Sequence, residues 1–416
     1  MTDRATVCLL CGAGASNLER LFDLGVLPLG FPVPAAQAPF VWRRPLAMAI
    51  CRRCSMVQTE YQLPADLLVT ETFYTSHRSA SITEHDRVFA DGLQRRGLAG
   101  VDSLVLEVGC SDGALLDRLR ERGFRRLLGI EPSPHADQTY HAEVIAGLFD
   151  DAMVQRLRDE RREPDLVIAN HVLDGVPRPG EFIANLARLL KPNASLVIEI
   201  PYVVDFVRTF RIDGFVHSRN SWFTAAALVH ALKAAGLRVD DIEHDEAYRG
   251  GTLRTFARRA PEAAMSPAVT ALLEREAAAL SAASFATFRD AVTSLRAQTL
   301  AGVRALTGTP LYVYGGGLKA AGILNWLGVT RRNIVCAVDN DPHKQGRLIP
   351  GVDIPIEPVD TLWRQETPIA VLNLALDHRA EVEPQLVARL PAGSTIIDAL
   401  PEWRELRIAA HAGEHA

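Results

Sequence analysis

The sequence predicts an α/β protein, with a small N-terminal metal-binding module followed by two domains built on helix-covered parallel sheets. Three observations carry that expectation. Two Cys-x-x-Cys pairs, Cys8/Cys11 and Cys51/Cys54, open the chain. From about residue 71, short β-type runs (SLVLEVG, RLLGIEP, DLVIAN, ASLVIEIP) alternate with amphipathic stretches of helical character. The same rhythm restarts after residue 307 with PLYVYGGG, NIVCAVDND, IAVLNLAL and STIIDAL.

Four blocks follow. Residues 1–70 read as a loop-rich module, since the prolines of LGVLPLGFPVPAAQAPF exclude a long helix. Residues 71–258 form the central domain. Residues 259–306 read as a helical connection, with Ser266-Pro267 suited to an N-cap and first turn. Residues 307–416 form the second α/β domain. A length of 416 residues exceeds one ordinary core, and 48% hydrophobic with 23% charged residues is enough to pack several. The formal charge of −5 argues against a nucleic-acid partner, which would call for a basic face. No apolar run approaches the roughly 18 residues that span a bilayer, so no membrane partner is expected. The start MTDRATVCLLCGAG lacks the apolar core of a secretory signal. The expected location is cytoplasmic. The oligomeric state stays open, a monomer included.

In a reducing compartment, paired Cys-x-x-Cys knuckles indicate metal more than disulfide. Four thiolates from Cys8, Cys11, Cys51 and Cys54 would fill a tetrahedral ion completely, which implies structural rather than catalytic Zn2+. The 39 residues between the pairs require an inserted loop or hairpin.

The first strand of the central domain ends in VLEVGCSDGALL, giving Glu107-x-Gly109-x-x-x-Gly113. Bare backbone at a strand-to-helix turn lets a ligand approach closely. Glu131, at the tip of the next strand, can accept hydrogen bonds from both hydroxyls of a ribose. A dinucleotide fingerprint would place glycine where Ser111 stands. The motif instead resembles the first motif of class I S-adenosylmethionine-dependent methyltransferases. That resemblance implies S-adenosyl-L-methionine as cofactor, with Glu107 under its methionine portion, Phe149 near the adenine and Asn170 near the methionine.

With CLLCGA, CRRCSMVQ, EIPYVVDF, GGTLR, VYGGGLKAAGILNWLG and VDNDPHKQGRLIPGVDIPI added, nearly the whole chain resembles the sugar C-methyltransferases that act on nucleotide-linked 4-keto deoxysugars. The resemblance implies a zinc module, a class I methyltransferase Rossmann-like domain and a C-terminal Rossmann-like domain that binds the acceptor, a small molecule of nucleotide-sugar type. Read from the residues, YGGGLKA with Lys319 offers backbone amides at a helix start, and Lys344 and Arg347 supply cations for a diphosphate. The alternative for the last two is a solvated turn. Arg254, after the double glycine, is a further cation, and Tyr202 a weaker candidate.

The resemblance breaks at DGFVHSRNSWF. The family carries a Tyr-His-Glu-His run whose last histidine removes the proton beside the keto group; here the four places read Val216, His217, Ser218 and Arg219. A second family histidine reads Gly175, whereas the upstream tyrosine is kept as Tyr74. A carbon acid needs a base before it can attack a methyl group. Candidate acid/base residues are therefore His217, Tyr74, Arg219 and Asp174, with His171 a neighbouring alternative and His77 and His85 behind it. Asp213 reads equally as a cap. Three accounts follow: a relocated base for carbon, methylation of oxygen or nitrogen by positioning, or a non-sugar acceptor whose anionic group pairs with Arg219. A cofactor-binding protein without catalysis is the rival outside enzymes.

Overall fold

The structure, a computed structural model, describes residues 5–63, 80–133, 141–259 and 265–409. The chain divides into two compact units that interleave along the sequence. One comprises Met1–Arg20, Met48–Val204 and Arg219–Leu280; the other comprises Leu21–Ala47, Asp205–Ser218 and Ser281–Ala416. The units are thus not consecutive blocks. The helical stretch is two helices, Pro267–Ala279 and Ala282–Ala305, and the unit boundary falls between them. Ser266 caps the first as expected, its hydroxyl accepting from Val269 N.

The N-terminal block holds more strand than its prolines suggest: β1 (Leu18–Pro28), β2 (Arg43–Cys51) and β3 (Val57–Thr59). The prolines cluster at the end of β1 and around the short 3-10 turn Ala35–Phe40. In the first unit β2 pairs with β3 antiparallel.

The first unit's main sheet is made of β4 (Leu104–Val108), β5 (Arg126–Glu131), β6 (Glu143–Ala146), β7 (Leu166–Asn170) and β8 (Ser195–Pro201), then, beyond the short β9 (Ser221–Trp222) that pairs with β3, β10 (Arg238–Asp245) and β11 (Thr252–Arg258). Its order is β10-β11-β8-β7-β4-β5-β6, with β11 antiparallel to both neighbours and the remaining pairings parallel. Every residue of β4 is buried. Such two-sided burial makes an inner parallel strand read as a continuous apolar run, and each Val or Leu removed from water adds roughly 1.5–3 kcal/mol. The order in which strands are added to the sheet reverses between the parallel neighbours β4 and β7, which opens a crevice at the strands' carboxyl ends where ligands of open α/β sheets bind.

Glu276, on Pro267–Ala279, is buried and accepts from Ala225 N (2.6 Å), Ala226 N (2.8 Å) and the Tyr202 hydroxyl (2.9 Å). It caps the helix Ala225–Ala234 from another element, beside that helix's own cap Thr224.

The second unit's sheet comprises β12 (Leu311–Tyr314), β13 (Ala337–Val338), β14 (Leu348–Ile349), β15 (Ile354–Glu357), β16 (Ala370–Asn373), β17 (Thr395–Asp398) and β18 (Arg404–Arg407), in the order β14-β15-β13-β12-β16-β17-β18. Its five inner strands are parallel and its edges antiparallel. Residues 21–47 join this unit through the Val33–Leu348 bridge and through Phe22, which packs on Phe215 and Phe288 at 4.7 and 5.0 Å. Among the described residues no helix is long and apolar enough to cross a membrane.

Candidate functional site

The four cysteine Sγ atoms lie within 4.8 Å of one another. Cys8 and Cys54 are 3.6 Å apart, and Cys11 and Cys51 3.7 Å. Thiolates at about 2.3 Å from a tetrahedral ion stand about 3.8 Å apart, whereas a disulfide requires about 2 Å. The cluster has the donor set and spacing to hold one ion.

At the carboxyl edge of the first unit's sheet, the turn after β4 is shaped by backbone. Gly109 has φ +74°, and a Cβ there would stand 2.1 Å from Val172 Cγ2. Ser111 and Gly113 are also left-handed, and Gly113 opens the helix Ala114–Glu121. Glu131 at the tip of β5 fastens this turn, accepting from Ser111 N (2.8 Å) and Ser133 N (2.9 Å) on separate oxygens. Each oxygen keeps a lone pair, as two ribose hydroxyls would require. Phe149 follows β6 and meets Phe182 edge-on at 5.4 Å.

Glu107 Oε2 and Asn170 Oδ1 are buried with no hydrogen-bond partner. Native proteins rarely leave such atoms orphaned. Burial, reinforced by the charges of Asp86, Glu131 and Asp112, pushes the Glu107 carboxyl well above its usual range. A ligand with cationic and donor groups would satisfy both residues, so the donor set fits an adenosyl sulfonium.

Burial also pushes Asp86 up to about 7, against the opposing charge of His85 and with Glu199 adding to the rise. The raised value means that folding takes up a proton: this group's stabilisation is complete below pH 4 and disappears as pH climbs through 7. A bound cation favours the ionised carboxylate. S-adenosylmethionine should therefore bind more tightly at pH 8 than at pH 6, by about fivefold if it lowers this pKa by one unit and by no more than about tenfold however far it lowers it. Calorimetry should find a smaller change for S-adenosylhomocysteine, which lacks the sulfonium, and none in Asp86→Asn.

The remaining residues expected from sequence separate into several groups. Arg219 and Asp174 form an ion pair at 2.6 Å, so the guanidinium and carboxylate neutralise each other. His217 lies in the second unit, where its Nε2 is 3.1 Å from the Arg44 carbonyl. Burial, against hydrogen bonds to the Arg44, Pro45 and Pro28 carbonyls, lowers its pKa. Tyr202 is buried on Glu276. In the second unit Lys319 reaches Asp377 at 2.5 Å and Asp213 at 3.2 Å, and Arg211 holds the same two acids. Burial works against both carboxylates, but the two cations outweigh it and keep them below the usual range. Asp213 is thus neither cap nor free acid. Lys344 contacts Asp339 at 3.2 Å, and Arg347 donates to the Pro32 carbonyl at 3.4 Å. Tyr74 and His77 lie outside the described residues.

Sequence reasoning missed Glu199, in β8 opposite Asn170. Its Oε1 is 2.6 Å from His85 Nε2 and 3.2 Å from His171 Nε2; its Oε2 is 2.7 Å from Arg254. Arg254 therefore has an internal partner, and it also stacks on Phe89 at 4.3 Å. Burial alone would raise the Glu199 carboxyl, but the two histidines and Arg254 outweigh it and hold it well below the usual carboxylate range. The available signal was a lone carboxylate inside the apolar run VIEIP, since a charge is rarely buried unpaired.

Residues 81–242 match the family described as a methyltransferase domain, and residues 247–401 that described as a C-methyltransferase C-terminal domain. The chain is 28% identical over 376 residues to C-methyltransferase NovU of Streptomyces niveus, covering 86% of this chain and 87% of that one. A tRNA U34 carboxymethyltransferase of Idiomarina loihiensis is 29% identical over 155 residues, 34% of this chain and 47% of its own. Magnesium protoporphyrin IX methyltransferase of Synechocystis with bound SAH superposes with a TM-score of 0.33 at 15% identity, over 43% of this chain and 83% of its own.

Proposed function

Because the chain belongs to the S-adenosylmethionine-dependent C-methyltransferases, we propose that it methylates a carbon beside a ketone on a nucleotide-linked deoxysugar in natural-product biosynthesis, with structural zinc in its four-cysteine cluster. The observation that carries the donor side is the pair of orphaned buried acceptors, Glu107 Oε2 and Asn170 Oδ1, flanking the crevice where β4 and β7 diverge. Bound S-adenosylmethionine supplies an electrophilic methyl on a cationic sulfur. The protein's part is to orient that group with Glu107, Asn170 and Glu131, and to exclude water with Phe149 and the surrounding core.

The acceptor side is supported by the match over residues 247–401 and by the backbone turn Gly315–Gly317. Lys344 Nζ stands 3.9 Å from where a Gly317 Cβ would be, and Gly316 N donates to Asp339 at the tip of β13. The start of the helix Leu318–Leu327 beside the Lys344 ammonium suits a diphosphate, which would have to displace Asp339 from Gly316 N and from Lys344.

The test is incubation with methyl-13C S-adenosylmethionine and a thymidine diphosphate-linked 4-keto-6-deoxyhexose. The expected products are S-adenosylhomocysteine and a sugar bearing a 13C methyl on carbon. If neither forms although S-adenosylmethionine binds, the sugar assignment fails.

A further inference from the structure

The family's base position is occupied by Arg219, and Arg219 is locked to Asp174. His217 is committed to a backbone carbonyl. Among the described residues of the first unit, one other arrangement suits proton removal from a carbon acid.

His171 directly follows Asn170 at the end of β7. Its backbone is left-handed, φ +53°, which turns the chain sharply at the strand tip. Both ring nitrogens are buried without a hydrogen bond. Nε2 lies 3.2 Å from Glu199 Oε1, within reach though not aligned. Glu199 is fixed in place by His85 at 2.6 Å and Arg254 at 2.7 Å, and the His85 ring lies flat on Tyr248 at 3.5 Å. A carboxylate held rigidly beside one imidazole nitrogen selects the tautomer that carries its proton there, leaving the other nitrogen basic. Catalytic hydrogen bonds are often loose before substrate binds.

Resting on the carbon-methylation reading, we propose that His171 is the general base of this enzyme and that Glu199, held by His85 and Arg254, is its positioning residue. His171 Nδ1 takes the proton from the carbon beside the keto group. The C–H bond breaks, the N–H bond forms, and the electron pair passes into the adjacent carbonyl as an enolate, whose carbon would then bond to the methyl group as the methyl's bond to sulfur breaks, with S-adenosylhomocysteine leaving. Glu199 stabilises the resulting imidazolium. His85 contacts Glu199 at 2.6 Å, and its side chain is 10% exposed against 1% for Glu199, so it offers the proton a path for later release.

Exchange of the acceptor's proton in D2O, followed by NMR with the thymidine diphosphate-linked 4-keto-6-deoxyhexose and S-adenosylhomocysteine, isolates this step from methyl transfer. Glycine is the substitution of choice because it accepts the positive φ and leaves an imidazole-sized gap. His171→Gly should slow exchange by about 100- to 10,000-fold, keep S-adenosylhomocysteine affinity within about threefold, and recover part of the rate with added imidazole. Glu199→Gln should slow exchange less and move its pH midpoint downward. The ionisable groups around this ring, all included in that profile, are Glu199, His85, Asp86, Arg254 and Tyr248. Exchange retained in His171→Gly, or lost instead in His85→Gln with imidazole rescue there, overturns the assignment. If the wild type binds cofactor yet neither exchanges nor methylates this sugar, the acceptor reading fails. The assignment is then decided by NMR titration of His171, whose pKa must fall in Glu199→Gln; an unchanged value overturns it.

Discussion

Cys54→Ser is expected to strip the protein of one zinc ion per chain and to lower its melting temperature by more than about 10 °C. Cys54 is 3% exposed, so a hydroxyl placed there could neither ligate zinc as a thiolate does nor reach water. The knuckle it belongs to is otherwise held by short backbone bonds, Ser55 N to Cys51 O at 2.7 Å and Cys51 N to Met56 O at 2.9 Å. Across from it Cys8 N donates to Ala13 O at 2.8 Å. Those bonds close two tight turns; a bound zinc would join the two, beside the bonds that Gln58 makes to Leu9 N and Val7 O. A structural zinc contributes roughly 10–16 kcal/mol in small metal-folded domains, and losing even a third of that, about 3–5 kcal/mol, would remove much of a domain's usual margin of about 5–15 kcal/mol. Elemental analysis and scanning calorimetry check this together. A metal-free wild type, with a variant melting within about 2 °C of it, would show that the four thiols are merely a buried cluster.

Much of the fold was legible because its strands are local events. SLVLEVG, RLLGIEP, DLVIAN and ASLVIEIP became β4, β5, β7 and β8, since an inner parallel strand needs apolar residues on both faces. The cysteine pairs and the glycine turn were legible for the same reason: their chemistry is written within a few residues. Interleaving of the two units was not, because residues 21–47 are placed by Val33 meeting Leu348 and Phe22 meeting Phe288, contacts with no local signature. DGFVHSRNSWF shows what a local reading leaves out. Its polar residues between aromatics suggested side chains aimed at a ligand, yet His217 binds a carbonyl 173 residues away and Arg219 finds Asp174. In the other direction, Glu199 was passed over although a carboxylate within an apolar strand has to be paired with something. The partners, His85, His171 and Arg254, come from three separate elements.

Gly109→Ala should weaken S-adenosylmethionine binding by at least about 100-fold, equivalent to roughly 2.7 kcal/mol, without unfolding the protein. Two separate costs act there. Forcing a residue with a Cβ into φ +74° costs about 1–2 kcal/mol. The added carbon would also stand 2.1 Å from Val172 Cγ2, a distance that cannot persist. Something must move, and Val172 is joined through His171 to Asn170, the residue whose buried oxygen awaits a donor. The strain is thus passed from one wall of the crevice to the other. Gly97→Ala separates the two costs, because Gly97 has φ +61° with nothing within 4 Å of its would-be Cβ. That variant should lose about 1 kcal/mol of stability and keep its cofactor affinity. Equal affinities in the two variants would mean that the turn after β4 does not shape the cofactor site. A loss confined to Gly109→Ala ties cofactor binding to the turn after β4, because Gly97 shares the left-handed backbone but lies at the end of the helix Ala80–Arg96.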